Sequence, residues 1–198
     1  MLGAHNLNKY NIYSLKMLDI ISYGGHLSEA LKNLVAERGC NLTLEYRLFD
    51  DPVENEEKKS FELWLTHIIS HYDDLADYTL FLSNTIVADS KFRDETQFWM
   101  VLEAEPSLFC DKTRWCKILR CDENGAPHHP GLSIKTWFMK LFPNTIPPAV
   151  FEFVQGAPRI MSKEKIRKRP IEFYKVILDA LKKGMVSHHV LERLWGYV

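Results

Sequence analysis

The sequence lacks three features that would each assign it to a broad class of protein. No stretch approaches the ~20 consecutive apolar residues that cross a membrane. Residues 1–13 are polar and carry no apolar block of the kind found in signal peptides. The 25 basic and 26 acidic residues give a formal net charge of -1, without the basic excess of duplex-binding proteins. We therefore expect a cytoplasmic, soluble protein with no membrane span and no nucleic-acid partner.

Cysteine is scarce, and its spacing is uninformative. The four cysteines, at positions 40, 110, 116 and 121, match neither a paired CxxC zinc site nor a dense disulfide framework. Reduced thiols are the expected state. A chain of 198 residues that is 46% hydrophobic can bury a large core without a metal or a disulfide. Because no repeat or Gly/Ser linker divides it, we predict one domain over residues 1–198.

Several catalytic motifs are also missing. The sequence contains no Gly-x-Ser-x-Gly and no Walker phosphate loop, which disfavours hydrolase and P-loop kinase functions. His67 and His71 have the i, i+4 spacing of zinc ligands on a helix. They lack the accompanying Glu of an HExxH motif, so the spacing favours a structural role for both.

Strand-like and helix-like segments alternate along the chain. Strands are predicted at 17–22, 42–49, 78–82, 115–121 and 150–154, and residues 53–59 are predicted as a loop. Helices are predicted at 28–39, 60–71, 92–102, 133–142, 163–167, 170–183 and 187–197. In the second helix we predict that Phe61, Trp64, Leu65 and Ile68 are buried, and we predict Ser187 as the N-cap of the last. A strand, a Gly-containing turn, a helix and a second strand form a βαβ unit. We therefore predict an α/β fold, a three-layer α/β/α sandwich around a mostly parallel (mixed) sheet.

Ligands of such sheets bind beyond the carboxyl ends of the strands. This rule nominates four segments, at residues 23–26, 50–51, 83–89 and 155–159. If the sheet is mostly parallel, these segments meet along one edge and form one pocket.

Three blocks of sequence carry a family resemblance. They read LTHIISHYDDLADYTLFL at 65–82, VFEFVQGAPRIMSKEKIRKRPIEFY at 150–174 and LERLWGYV at 191–198. In this order they resemble an uncharacterised domain family that is similar to type A glycosyltransferases. The resemblance implies a type A fold, a nucleotide-sugar donor and a carbohydrate or glycan acceptor. It also implies that a divalent metal, Mn²⁺ or Mg²⁺, can follow a central strand.

In the implied site, the candidate residues for binding the donor's phosphates are Tyr23, Gly24 and Gly25. A Gly-Gly turn between a strand and a helix lets backbone N–H groups approach an anion, although a turn without a ligand has the same sequence. Ser83 and Asn84, directly after the third predicted strand, are candidate neutral oxygen ligands for a metal beside Asp89.

Charged candidates complete the ligand side of the site. Asp89 is the nearest carboxylate for a metal; it suits a helix N-cap equally well. The sequence has no Asp-x-Asp, the motif that type A enzymes commonly use for the metal. Arg159 follows a predicted strand and is a candidate for the diphosphate. The basic residues at 163–169 suit either a phosphate or a solvated helix face.

Glu152 and Asp122 are the candidate catalytic acids or bases. Glu152 lies in the apolar run V-F-E-F-V, where a carboxylate must be paired, face a cavity or point to solvent from an edge strand. Glu192 is a competing carboxylate that suits an ion pair with Arg193 or with a neighbouring lysine.

The leading hypothesis is therefore a glycosyltransferase-like protein that moves a sugar from a nucleotide-sugar donor to an acceptor hydroxyl. Two alternatives stay open. One is a catalytically inactive binding or scaffold module on the same fold, which the missing Asp-x-Asp favours. The other is a different nucleotide-dependent transferase on the same sheet, because a fold does not determine its chemistry.

Overall fold

A computed structural model of the chain describes residues 18–22, 53–82, 118–154 and 159–198. The strands in these ranges are β1 (Leu18–Ser22), β2 (Tyr78–Leu82), β3 (Ile118–Cys121), β4 (Phe151–Val154) and β5 (Arg159–Ser162). The helices are α1 (Val53–Ser70), α2 (Ile134–Leu141), α3 (Lys163–Arg167), α4 (Ile171–Lys182) and α5 (His188–Leu194), with a final 3₁₀ turn, Trp195–Tyr197. The elements predicted at 28–39, 42–49 and 92–102 lie outside the described residues.

The described strands form two small sheets. The first has the order β1-β2-β5. In it β1 and β2 are parallel, with Leu18 opposite Tyr78, whereas β2 and β5 are antiparallel, with Tyr78 opposite Ser162. The second sheet is the antiparallel pair β3-β4, with Cys121 opposite Phe151.

The predicted three-layer α/β/α sandwich with a mostly parallel sheet is therefore wrong. Of the three strand pairs in the described residues, only β1 and β2 run parallel. Alternating apolar residues identify a strand, but they carry no information about the direction of its partner. Four residues, 155–158, join β4 to β5. That length is far below the dozen or more that a parallel crossover needs, so these two strands cannot be parallel neighbours.

Helix α1 supplies one wall of the core. Its apolar residues recur at i, i+3, i+4 and i+7, and this stripe is almost completely buried, as predicted: Phe61, Trp64, Leu65 and Ile68. Burial of each such side chain stabilises the fold by about 1.5–3 kcal/mol. The helix packs on α4 and against β1.

Helix α1 begins earlier than predicted, because residues 53–59 are helical and not a loop. The segment reads VENEEKK, and polarity alone suggests a loop. However, Glu and Lys are good helix formers, and acidic residues near a helix N-terminus interact favourably with its dipole.

Strand β5 is the described strand that the sequence does not predict. It reads RIMS and has no clear alternation. Its four residues are held by pairing with β2, and Ile160 and Met161 are buried. The chain then turns directly into α3, where the Ser162 hydroxyl caps the helix by accepting a hydrogen bond from the Lys165 N–H at 3.2 Å.

Candidate functional site

Three strand ends meet at one edge of the first sheet. Ser22, the last residue of β1, pairs with Leu82, the last residue of β2. Because β5 runs the opposite way, its first residue, Arg159, lies at the same edge, opposite Phe81. We call this place the shared edge: the carboxyl ends of β1 and β2 with the start of β5. It is the kind of edge at which parallel strands bind ligands.

The other residues predicted to bind the ligand or its metal follow these strands directly. Tyr23, Gly24 and Gly25 come after β1, and Ser83 and Asn84 come after β2. All five, together with the metal candidate Asp89, lie outside the described residues. Of the predicted ligand-binding residues, the structure therefore describes Arg159, at the shared edge.

Arg159 is half-buried and held in place by its neighbours. Its Nη2 donates a hydrogen bond to the Val154 carbonyl, the last residue of β4, at 2.8 Å. The guanidinium carbon lies 5.9 Å from the centroid of the Phe61 ring, within reach of a cation–π interaction. These contacts fix the side chain between the two sheets. They also tie the end of β4 to the shared edge.

Glu152 forms an ion pair on the outer surface of the second sheet. Its Oε1 accepts hydrogen bonds from Arg120 Nε at 2.9 Å and Nη2 at 2.8 Å. The side chains of Glu152 and Arg120 are 53% and 73% exposed. The flanking Phe151 and Phe153 point into the core. Glu152 thus avoids the cost of burial, and an exposed pair of this kind contributes at most about 1 kcal/mol.

Asp122 organises the turn after β3. Its Oδ1 accepts two backbone hydrogen bonds of 2.9 Å, from the N–H groups of Asn124 and Ala126. Gly125 in this turn has a positive φ of 90°, and a Cβ there would lie 2.2 Å from the His129 carbonyl oxygen. The turn therefore needs glycine, and the Asp122 carboxylate has a structural use in it.

The basic run at 163–169 is partly used to hold the core elements together. Arg167 donates to the Tyr72 carbonyl at 3.1 and 3.2 Å and to the Asp73 carbonyl at 2.6 Å. Arg169 donates to the Tyr197 carbonyl at 3.2 Å and lies 4.8 Å from the Phe142 ring. Both arginines therefore join distant segments of the chain, and Arg167 does so while it remains exposed.

A buried arginine that the sequence patterns did not single out packs against the second sheet. Arg193, on α5, is 1% exposed. Its Nη1 donates to Glu192 Oε2 at 2.6 Å and to the His189 carbonyl at 2.8 Å. Its Nη2 lies 2.7 Å from His129 Nδ1, and its guanidinium is 4.4 Å from the Phe153 ring. The signals available in the sequence were the expected Glu192–Arg193 pair and the two His-His dipeptides.

Cys121 lies beside this arginine. Burial raises the pKa of its thiol, and the neighbouring Arg193 guanidinium partly opposes that shift. Cys121 is the last residue of β3, opposite Phe151, and only 3% of its surface is exposed. A buried thiol with a raised pKa is a poor nucleophile, which agrees with a structural role.

His67 and His71, the two histidines at zinc-like spacing, lie against each other near Asp74. His67 is buried, and its ring lies 4.7 Å from the ring of His71, which pairs with Asp74 at 3.3 Å. No cluster of three or more His, Cys, Asp or Glu side chains suited to a metal occurs among the residues that the structure describes. Within the same residues, no helix is both long and apolar enough to span a membrane.

The three sequence blocks that carry the resemblance meet in space. The Tyr72 hydroxyl of the first block donates to the Arg169 carbonyl of the second. The Phe81 ring of the first block lies 5.9 Å from the Trp195 ring of the third. These contacts place the three blocks in one packed unit.

Comparison with known proteins identifies a family but no characterised relative. No curated protein and no solved structure matches the chain. A family model described as "Protein of unknown function (DUF3431)" matches residues 49–198, which include all three blocks. The expectation of an uncharacterised family is thereby confirmed, and the chain belongs to this family of proteins of unknown function.

Proposed function

We propose that the protein binds a nucleotide sugar at the shared edge and transfers the sugar to an acceptor hydroxyl on a carbohydrate. The observation that carries the proposal is the strand register, which brings the ends of β1 and β2 beside Arg159. The resemblance to glycosyltransferases supplies the class of ligand. The glycines that follow β1 in the sequence suit a diphosphate, because they allow backbone N–H groups to approach its oxygens.

In this proposal Arg159 neutralises the diphosphate. A guanidinium matches phosphate oxygens in a fork and keeps its charge at every physiological pH. The contact with Val154 and the nearby Phe61 ring orient the side chain before the ligand arrives. This preorganisation reduces the conformational entropy lost on binding. The same charge would stabilise the diphosphate as it leaves during transfer.

The catalytic base of this proposal is Glu152. Its pair with Arg120 is exposed and therefore weak, so the carboxylate can exchange Arg120 for an acceptor hydroxyl at little cost. It lies two residues before Val154, whose carbonyl contacts Arg159. Asp122 is the less suitable candidate, because its Oδ1 already accepts two backbone hydrogen bonds.

A second candidate is a module that binds the nucleotide sugar without transferring it. The engagement of both Glu152 and Asp122 favours this function, since an inverting transfer needs a base that is available to the acceptor. Both functions place the ligand at the shared edge, so binding and turnover must be measured separately.

Thermal unfolding with nucleoside diphosphates and nucleotide sugars, with Mn²⁺ or with EDTA, tests the binding step. A specific ligand at ~100 times its Kd adds about 2.7 kcal/mol, which raises Tm by roughly 5–10 °C for a domain of this size. The Mn²⁺ and EDTA arms report whether a divalent metal takes part. No stabilisation by any nucleotide would contradict both candidate functions; stabilisation without sugar transfer would favour the second.

Substitution of Arg159 tests the position of the site. Arg159→Ala should remove most of the nucleotide-induced rise in Tm, and Arg159→Lys should retain part of it, because a lysine keeps the charge but not the fork. Lys175→Ala is the matched control, since Lys175 is an exposed cation paired with Glu172 on α4. An unchanged ligand response in Arg159→Ala would remove this residue from the site.

A further inference from the structure

The loop between β3 and α2 contacts α5 through histidine. We call residues 122–132 the docking loop. His129 Nδ1 lies 2.7 Å from Nη2 of the buried Arg193. The His129 ring is also stacked on the ring of His189, with centroids 4.1 Å apart and an interplanar angle of 24°. Through these two contacts one side chain joins the loop to the helix.

The hydrogen bond requires a neutral imidazole at His129. A guanidinium carries five N–H donors and no acceptor, so Nδ1 of His129 must be the acceptor. In that tautomer the ring proton is on Nε2. Protonation of Nδ1 would replace the acceptor with a second donor and place two cations 2.7 Å apart. The docked arrangement is therefore compatible with the neutral ring and not with the imidazolium.

Among the residues that the structure describes, the groups around His129 do not offset a new positive charge there. Glu192 is the carboxylate of α5, and it already binds Arg193 Nη1 at 2.6 Å. His189 and His188, whose rings lie 4.0 Å apart, are two further bases that gain charge in acid. On β3, Cys121 is a buried thiol beside Arg193.

The acidic groups of the docking loop are engaged elsewhere. Asp122 Oδ1 accepts backbone N–H groups of its own turn, and Glu123 forms an ion pair with Lys135 at 2.6 Å. His128, the remaining titratable side chain of the loop, contacts the Phe153 ring at 5.8 Å. Acidification therefore adds positive charge to this contact from several sides.

We propose that the His129–Arg193 contact is a pH-sensitive latch that holds the docking loop on α5 and releases it when His129 is protonated. An imidazole ordinarily titrates near pH ~6.5. The docked state takes up no proton at His129, whereas the released state takes one up below that pH. By linkage, docking is at full strength above the imidazole range and weakens as the pH falls through it.

Amide hydrogen exchange measures this release directly in the full chain. Exchange is followed at pH 7.5, 6.5 and 5.5, with correction for the intrinsic pH dependence of the amide reaction. We expect the corrected exchange in residues 122–132 to rise roughly tenfold between pH 7.5 and 5.5, the change that loss of about 1.4 kcal/mol produces. Exchange in α1 and α4 should stay constant over the same range. An equal rise in all three regions, or none in the loop, would overturn the proposal.

Two matched variants identify the responsible histidine. In His129→Asn the side-chain oxygen takes the place of Nδ1 as acceptor for Arg193 and does not titrate, so the loop should stay protected at pH 5.5. His128→Asn removes the neighbouring histidine on the same loop and should keep the tenfold response. A response that persists in His129→Asn, or disappears only in His128→Asn, would overturn the assignment to His129.

Discussion

Helix α1 and the docking loop both contact the segment 188–198, but they reach it by different chemistry. The Phe61 and Trp64 rings of α1 lie 5.4 and 5.7 Å from the Trp195 ring. The docking loop reaches α5 through the polar contact of His129 with Arg193. Apolar contacts of the first kind are independent of pH, whereas the second kind changes with one proton. The comparison predicts a stable helical core carrying a loop whose docking is conditional.

The largest loss of stability should come from a substitution in the apolar contact between α1 and Trp195. Trp64 is 2% exposed and contacts Phe61, Phe81 and Trp195. Trp64→Ala should lower the free energy of unfolding by about 3–5 kcal/mol, because it removes a large buried side chain and leaves a cavity. Urea unfolding measures the change.

Thr66→Ala is the matched control on the same helix. Thr66 is exposed, and its hydroxyl bonds to the Glu62 carbonyl within α1. Its substitution should change stability by no more than about 0.5 kcal/mol. Comparable losses in the two variants would contradict the assignment of α1 as a wall of the core.

A smaller loss of stability is expected when the polar contact between the docking loop and α5 is removed. Arg193→Met keeps an apolar stem over Phe153 but removes the donors to Glu192 and His129. We expect a loss of about 1.5–3 kcal/mol, typical of a hydrogen-bonded charge. Exchange in residues 122–132 should already be fast at pH 7.5 and should no longer respond to acid. If this variant kept the wild-type pH response, loop docking would not depend on Arg193.

The smallest effect on stability should come from Glu152→Gln. Its pair with Arg120 is exposed, so unfolding should change by less than about 1 kcal/mol. Nucleotide binding should also be unchanged, because Glu152 is not among the proposed phosphate ligands. Sugar transfer, measured on the same preparation, should fall. Full transfer activity in this variant would exclude Glu152 as the base.

Much of the local structure followed from residue patterns. The i, i+3, i+4, i+7 stripe of α1 is buried as predicted, and β2 has its predicted bounds, Tyr78–Leu82. The predicted cap is confirmed as well, since the Ser187 hydroxyl accepts a hydrogen bond from the Val190 N–H at 3.3 Å. Each of these features depends on neighbours within one or two turns of chain, which is why the sequence reveals them.

The errors fall where distant parts of the chain meet. Strand direction was wrong because β4 and β5 pair with β3 and β2 in antiparallel registers that no local pattern encodes. Arg193 was not singled out because its partner His129 is 64 residues away. For the basic run at 163–169, the sequence does not reveal that Arg167 donates to carbonyls 94 and 95 residues away.

By itself, the sequence determined most of the described helices and strands, the Ser187 cap, the apolar stripe of α1 and the blocks that mark the family, because spacing along the chain decides which side chains share a face. Tertiary structure alone decided which strand ends meet at the shared edge and that Arg193 is buried against His129. The physical reason is that burial and hydrogen bonding of a charged side chain depend on partners brought together by folding, not on its neighbours in sequence.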